Sequence, residues 1–114
     1  MKTYIIVKTR FEAIHCWPDC PFPGVHFLTY PHRHEFHVEL KCKVFHLNRD
    51  LEFFMVKKQL EKAIPIILSL PNIGSMSCEM IAKEIGIYMK ENESLAVKSV
   101  SVFEDGENGT EVEF

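Results

Sequence analysis

The sequence predicts one α+β domain across residues 1–114, with its elements in the order strand, strand, helix, helix, strand, strand (ββααββ). Two observations carry this. Two thirteen-residue runs, 3–15 and 32–44, alternate apolar and polar residues at the period of a strand, whereas residues 51–68 and 77–92 repeat apolar residues at helical spacing. A length of 114 residues with 46% hydrophobic content suits one core and would crowd two.

Taken in order, the odd positions from Thr3 to His15 are Thr, Ile, Val, Thr, Phe, Ala and His, while Tyr4, Lys8, Arg10 and Glu12 stand between them. That is a strand with one buried face. Residues 16–31 contain Pro18, Pro21, Pro23, Gly24 and Pro31, which remove backbone donors, so a long irregular loop is expected. A loop of that length in a small domain is usually functional. Alternation returns with His32, His34, Phe36, Val38, Leu40, Cys42 and Val44 on one face, and Arg33, Glu35, His37, Glu39, Lys41 and Lys43 on the other. The two strands should pair antiparallel across the loop.

Asp50 precedes the first helical stretch, in which Phe53, Val56, Leu60, Ala63, Ile64 and Ile67 share a face and Pro65 should kink or end the helix. Pro71, Asn72 and Gly74 break the chain. Ser77 then reads as the N-cap of a second helix carrying Ile81, Ala82, Ile85, Tyr88 and Met89, closed by Asn92 and Ser94. A third strand is expected over 96–104, with Val100, Val102 and Glu104 on one face, then a polar turn over 105–109 and a short last strand over 110–114.

Composition excludes several function classes. Net charge is −3 with lysine and arginine dispersed, so no nucleic-acid footprint is expected. No apolar run approaches the ~20 residues of a membrane span, and the N-terminus enters a strand pattern rather than a signal sequence. The expectation is a cytoplasmic protein whose cysteines, Cys16, Cys20, Cys42 and Cys78, are reduced.

The chemistry lies in the histidines. His32 and His34 are two apart on a strand, so both imidazoles leave the same, otherwise apolar face. His15 ends the first strand on its own apolar face. Antiparallel pairing brings the end of one strand to the start of the other, and all three rings to one rim. Three histidines with a position left open make a catalytic zinc (Zn2+) site; the alternative is a rim pair satisfied by hydrogen bonds. His37 and His46 read as surface residues, and His26 in the loop stays open between the two roles. Glu104 closes an apolar face where a hydrophobe is expected. It is either a carboxylate turned to water or an acceptor of two parallel N–H bonds from a pterin or guanine edge.

These motifs together resemble the 6-pyruvoyl-tetrahydropterin synthase and 6-carboxytetrahydropterin synthase family. Phe11-Glu12-Ala13-Ile14-His15 is similar to its Phe-x-Ala-x-His, and His32-Arg33-His34 to its His-Gly-His. Asp50-Leu51, Ser77-Cys78-Glu79 with Ile81-Ala82, and Val100 to Glu104 follow in the family's order, so the resemblance spans almost the whole chain. It implies the tunnelling fold, a four-stranded antiparallel sheet with two helices on one face, closed into a ring-like homo-oligomer, commonly a hexamer of two trimers. It further implies that His15, His32 and His34 hold zinc, that Glu104 anchors a pterin, and that Ser77 and Cys78 lie near that ring. The implied activity is that of a zinc-dependent lyase acting on 7,8-dihydroneopterin triphosphate or a related dihydropterin. Two departures are plain. Leu28 stands where catalytically competent members carry a cysteine, and residues 64–76 contain neither the Asp nor the His of the family's proton-relay pair. Cys20 and His26 are the candidate substitutes, because acid–base work needs a titratable group beside the metal. A non-catalytic pterin- or purine-binding protein is the alternative these departures leave.

Overall fold

A computed structural model describes residues 1–114. Strands β1 (Thr3–His15), β2 (His32–Val44), β3 (Val97–Glu104) and β4 (Asn108–Glu113) form one antiparallel sheet in sequence order. Helices α1 (Phe53–Ile67) and α2 (Cys78–Asn92) follow β2. β1 and β2 pair over their full length, from Thr3 opposite Val44 to His15 opposite His32. Alternation then sends Phe36, Val38, Leu40 and Cys42 into a core where each is fully buried. A bulge opposite Lys41 and Cys42 inserts Lys98 as an extra residue in β3, which is why Val97 and Val100, three apart, are both buried.

The helices supply the other half of the core through Val56, Leu60, Ala63 and Ile64 of α1 and Ile81, Ala82, Ile85 and Met89 of α2. Burying a side chain such as Leu60, Ile81 or Ile85 contributes about 1.5–3 kcal/mol, so this layer contact dominates the stability of the fold. Ser77 caps α2, its hydroxyl accepting the Met80 N–H at 3.1 Å. Gly86 lets the Phe114 ring lie against α2, where an added Cβ would stand 2.1 Å from the ring.

Local chemistry moved several expected boundaries. The first helix is capped by Glu52, whose carboxylate accepts the Met55 N–H at 3.1 Å, and not by Asp50. Asp50 is engaged in the preceding turn, accepting the Phe45 N–H at 2.7 Å. Phe53 consequently falls at the first helical position and is exposed. Pro65 does not stop the helix at its own position, but only two helical residues follow it. The proline-rich loop is not wholly irregular: Pro23–Thr29 forms 3-10 turns kinked at Val25. The last strand starts at Asn108, since Glu104 pairs with Asn108 across a three-residue turn in which Asp105 (φ 56°) and Gly106 (φ 70°) are left-handed. Gly109 is required by close approach, as a Cβ there would lie 2.2 Å from the Val102 carbonyl oxygen.

One further contact positions the site. Residues 71–74 run beside the free edge of β1, with Ile14 N–H donating to Pro71 O, Ile73 N–H to Ile14 O and Cys16 N–H to Gly74 O at 2.8–3.0 Å. The start of α2 is thereby held against His15.

Candidate metal centre

The direct pairing of His15 with His32 brings the last residue of β1 to the first of β2, and the strand period adds His34 on the same face. The rings meet edge to face, with centroids 4.5 Å apart for His15 and His32, 4.9 Å for His32 and His34, and 5.3 Å for His15 and His34. One ligand nitrogen from each lies within 4.8 Å of the other two. Phe36 closes the inner side, its ring 5.2 Å from His15 and 5.7 Å from His34.

The hydrogen bonds decide what the cluster can do. His15 Nδ1 donates to Met76 O, His32 Nδ1 to Tyr30 O and His34 Nδ1 to Asp105 Oδ2, each at 2.8 Å. Proton placement on Nδ1 follows because a carbonyl and an ionised carboxylate can only accept. Each Nε2 is then a bare lone pair, and all three Nε2 atoms are buried without a hydrogen-bond partner. Buried polar atoms are rarely left so. Three of them converging on one point, each on a ring oriented from behind, are what a cation needs of its ligands. The donor set therefore fits a zinc-like ion, and His15, His32 and His34 can hold one. Burial pushes the His15 pKa down, assisted by His32 and His34 and outweighing the opposing bond to Met76 and the nearby Glu104 carboxylate, which favours the neutral form that binds a metal.

Neither a family model nor a curated protein matches the sequence. Similarity appears among solved structures. An uncharacterized protein from Wolinella succinogenes superposes with a TM-score of 0.72 at 12% identity, over 99% of this chain and 98% of that one. A 6-pyruvoyl tetrahydropterin synthase from Caenorhabditis elegans superposes with a TM-score of 0.67, also at 12% identity, over 100% and 96% of the two chains. The chain has the tunnelling fold (T-fold). At this identity the likeness is one of architecture, and what the T-fold carries here must be read from its own side chains.

Glu104 stands at the end of β3 opposite Phe36, two residues beyond His34 in the sheet. Its Oε2 lies 3.1 Å from His15 Nε2 and 3.6 Å from His34 Nε2, not aligned for a hydrogen bond with either. The carboxylate therefore lies beside two of the three nitrogens and is partly exposed to solvent. Ser77 is occupied as the cap of α2. Cys78, the first residue of that helix, is buried, and its thiol is pushed up to about 12 by burial, then by Glu104 and Glu79. It is a protonated thiol at neutral pH.

Cys20 and His26 lie within the loop and face its own groups. The Cys20 thiol is 3.8 Å from both Phe22 O and Val25 O, and His26 Nδ1 is 3.5 Å from the Thr29 hydroxyl, its ring edge-on to Tyr30. Neither belongs to the group of converging ligand nitrogens. The residue that sequence reasoning passed over is Asp105, taken only as part of a polar turn. The available signal was a carboxylate directly after Glu104, where β3 ends beside the His-x-His strand. The carbonyls of Tyr30 and Met76 had no signal, since every residue carries one. No helix is long and apolar enough to cross a membrane.

Proposed function

We propose that this T-fold chain, taken as one domain over residues 1–114, is a zinc-dependent lyase similar to 6-pyruvoyl-tetrahydropterin and 6-carboxytetrahydropterin synthases. Its substrate is 7,8-dihydroneopterin triphosphate or a related dihydropterin. The observation that carries the reading is the set of three unpaired Nε2 atoms, each on a ring fixed through Nδ1, with the Glu104 carboxylate beside those of His15 and His34.

His15, His32 and His34 hold the metal, which when bound supplies a Lewis acid for the hydroxyls of the pterin side chain. Glu104 turns its carboxylate to the ring, where two oxygens match two adjacent N–H donors and fix its register. Ser77 and the protonated Cys78 thiol line the ring side. Cys20 and His26 are the proton-transfer candidates. Cys20 must leave its contacts with Phe22 O and Val25 O to act, so loop movement is part of this proposal. β4 and the part of β1 before Ile14 are edge strands open to pairing with further copies, which supports a homo-oligomeric ring, a hexamer of two trimers by analogy. The four free cysteines suit the cytoplasm.

A second reading is favoured by a specific observation. With Leu28 in place of the family's cysteine and no Asp or His in 64–76, the chain is instead a pterin- or purine-binding protein without chemistry. Zinc-loaded protein incubated with 7,8-dihydroneopterin triphosphate and followed by mass spectrometry separates the two. Zinc-dependent turnover supports the lyase, binding without turnover supports the second reading, and neither binding nor turnover refutes both.

A further inference from the structure

The three ligand rings are not held alike. His15 and His32 donate their Nδ1 protons to neutral main-chain carbonyls, whereas His34 donates to an ionised carboxylate. That carboxylate has a second task. Asp105 Oδ1 accepts the Glu35 N–H at 3.0 Å, while the Asp105 N–H donates to Glu35 O at 2.7 Å. One residue thus ties the turn after β3 to the β2 strand through three hydrogen bonds, and Glu104 is the residue immediately before it.

We propose that Asp105 is a positioning residue of the metal centre: it selects the His34 tautomer that presents Nε2 to a cation, and fixes Glu104 in register with that nitrogen. The inference rests on the metal reading for its consequence, though not for its geometry. A carboxylate behind a ligand histidine makes the imidazole a better donor than a carbonyl does, so His34 is the strongest of the three ligands. The placement is possible because Asp tolerates the left-handed backbone, here φ 56°, that points its side chain back at β2.

Asp105→Asn isolates the effect. Asn keeps the volume and suits the left-handed turn at least as well, so a residue needed only for the turn is replaced without loss. An amide, however, offers one acceptor and one donor where both neighbours are donors. Turned one way, its NH2 opposes the Glu35 N–H. Turned the other, the NH2 faces His34 Nδ1, which must then accept and carry its proton on Nε2, where the metal binds.

Two measurements on the full chain follow. In metal-free protein, long-range 1H–15N correlation of His34 should show the proton on Nδ1 in the wild type and a shift toward Nε2 in Asp105→Asn. Zinc affinity, read by competition with a chromophoric chelator, should fall about 10–100-fold with the metal-free melting temperature unchanged. An unchanged His34 tautomer, wild-type zinc affinity, or a loss of affinity matched by a loss of metal-free stability would each overturn the proposal. If the wild type binds no zinc while Asp105→Asn still shifts the His34 tautomer, the metal centre fails, its positioning role falls with it, and only the control of the tautomer by Asp105 stands.

Discussion

A centre built from three unpaired nitrogens is costly when empty, and this gives a signed prediction for His32→Ala. An unsatisfied buried polar atom costs about 1–3 kcal/mol, while the bond from His32 Nδ1 to Tyr30 O returns only about 0.5–1.5 kcal/mol. Removing the ring in metal-free protein should therefore leave stability level or slightly raised. With metal the sign reverses. Zinc at one hundred times its dissociation constant stabilises the wild type by about 2.7 kcal/mol. At roughly 2.1 cal/mol/K per residue, the unfolding entropy of 114 residues converts this to a rise of about 11 °C in Tm. Losing a direct ligand weakens binding by more than the ~100-fold upper figure for a supporting partner. At the same zinc concentration the variant then gains less than about 0.4 kcal/mol, or about 2 °C. Thermal unfolding followed by circular dichroism, with chelator and with zinc, reads all four states. A wild type unmoved by zinc, or a His32→Ala chain that keeps the full rise, would refute the ligand assignment.

Three further outcomes follow from other parts of the molecule. Glu104→Ala should lower affinity for a pterin by about 10- to 100-fold, the worth of charge-assisted hydrogen bonds, with zinc stoichiometry retained; unchanged binding in calorimetry removes Glu104 from the ring site. Gly109→Ala drives a methyl to within 2.2 Å of the Val102 carbonyl and should cost about 1–3 kcal/mol in urea unfolding, whereas Gly24→Ala, with nothing within 4 Å, should cost none; equal effects would contradict the β3–β4 packing. The lowered His15 pKa makes metal-free stability depend on pH. Above about 6.5 both the folded and unfolded chains hold His15 neutral, whereas below it the unfolded chain binds a proton that the folded chain refuses. Stability should thus fall as pH drops from about 6.5 toward the native value, no faster than about 1.4 kcal/mol per pH unit for one group, and His15→Gln should flatten that window.

How much of this was legible in the sequence depends on whether the information was periodic. The alternation of β1 and β2 declared both strands, their buried faces and hence the meeting of His15 with His32 and His34, because a strand's period fixes its side without knowledge of partners. Helix limits were less legible. Asp50 suits an N-cap better than Glu52 by residue type, yet Glu52 is the cap, because Asp50 is held in a turn where it accepts from Phe45, a contact no helical pattern encodes. The bulge that turns Val97 inward was invisible for a similar reason: it is a property of β3 against β2, not of β3 alone.

The same division runs through the site. The ligands are side chains on patterned strands and could be named in advance, but what holds each ring is supplied from outside the pattern: the loop through Tyr30, the segment before α2 through Met76, and the β3–β4 turn through Asp105. Those three supports come from separate connections, and two of them are themselves fastened to a strand. The segment before α2 is bonded along the free edge of β1, and Asp105 is bonded to Glu35 of β2. A ring whose orientation is fixed by a separately anchored support cannot relax to satisfy its own Nε2 in the absence of metal. The unpaired nitrogens are therefore a consequence of how the connections are tied to the sheet, and loosening any one tie should lower the cost of the empty site and weaken metal binding together.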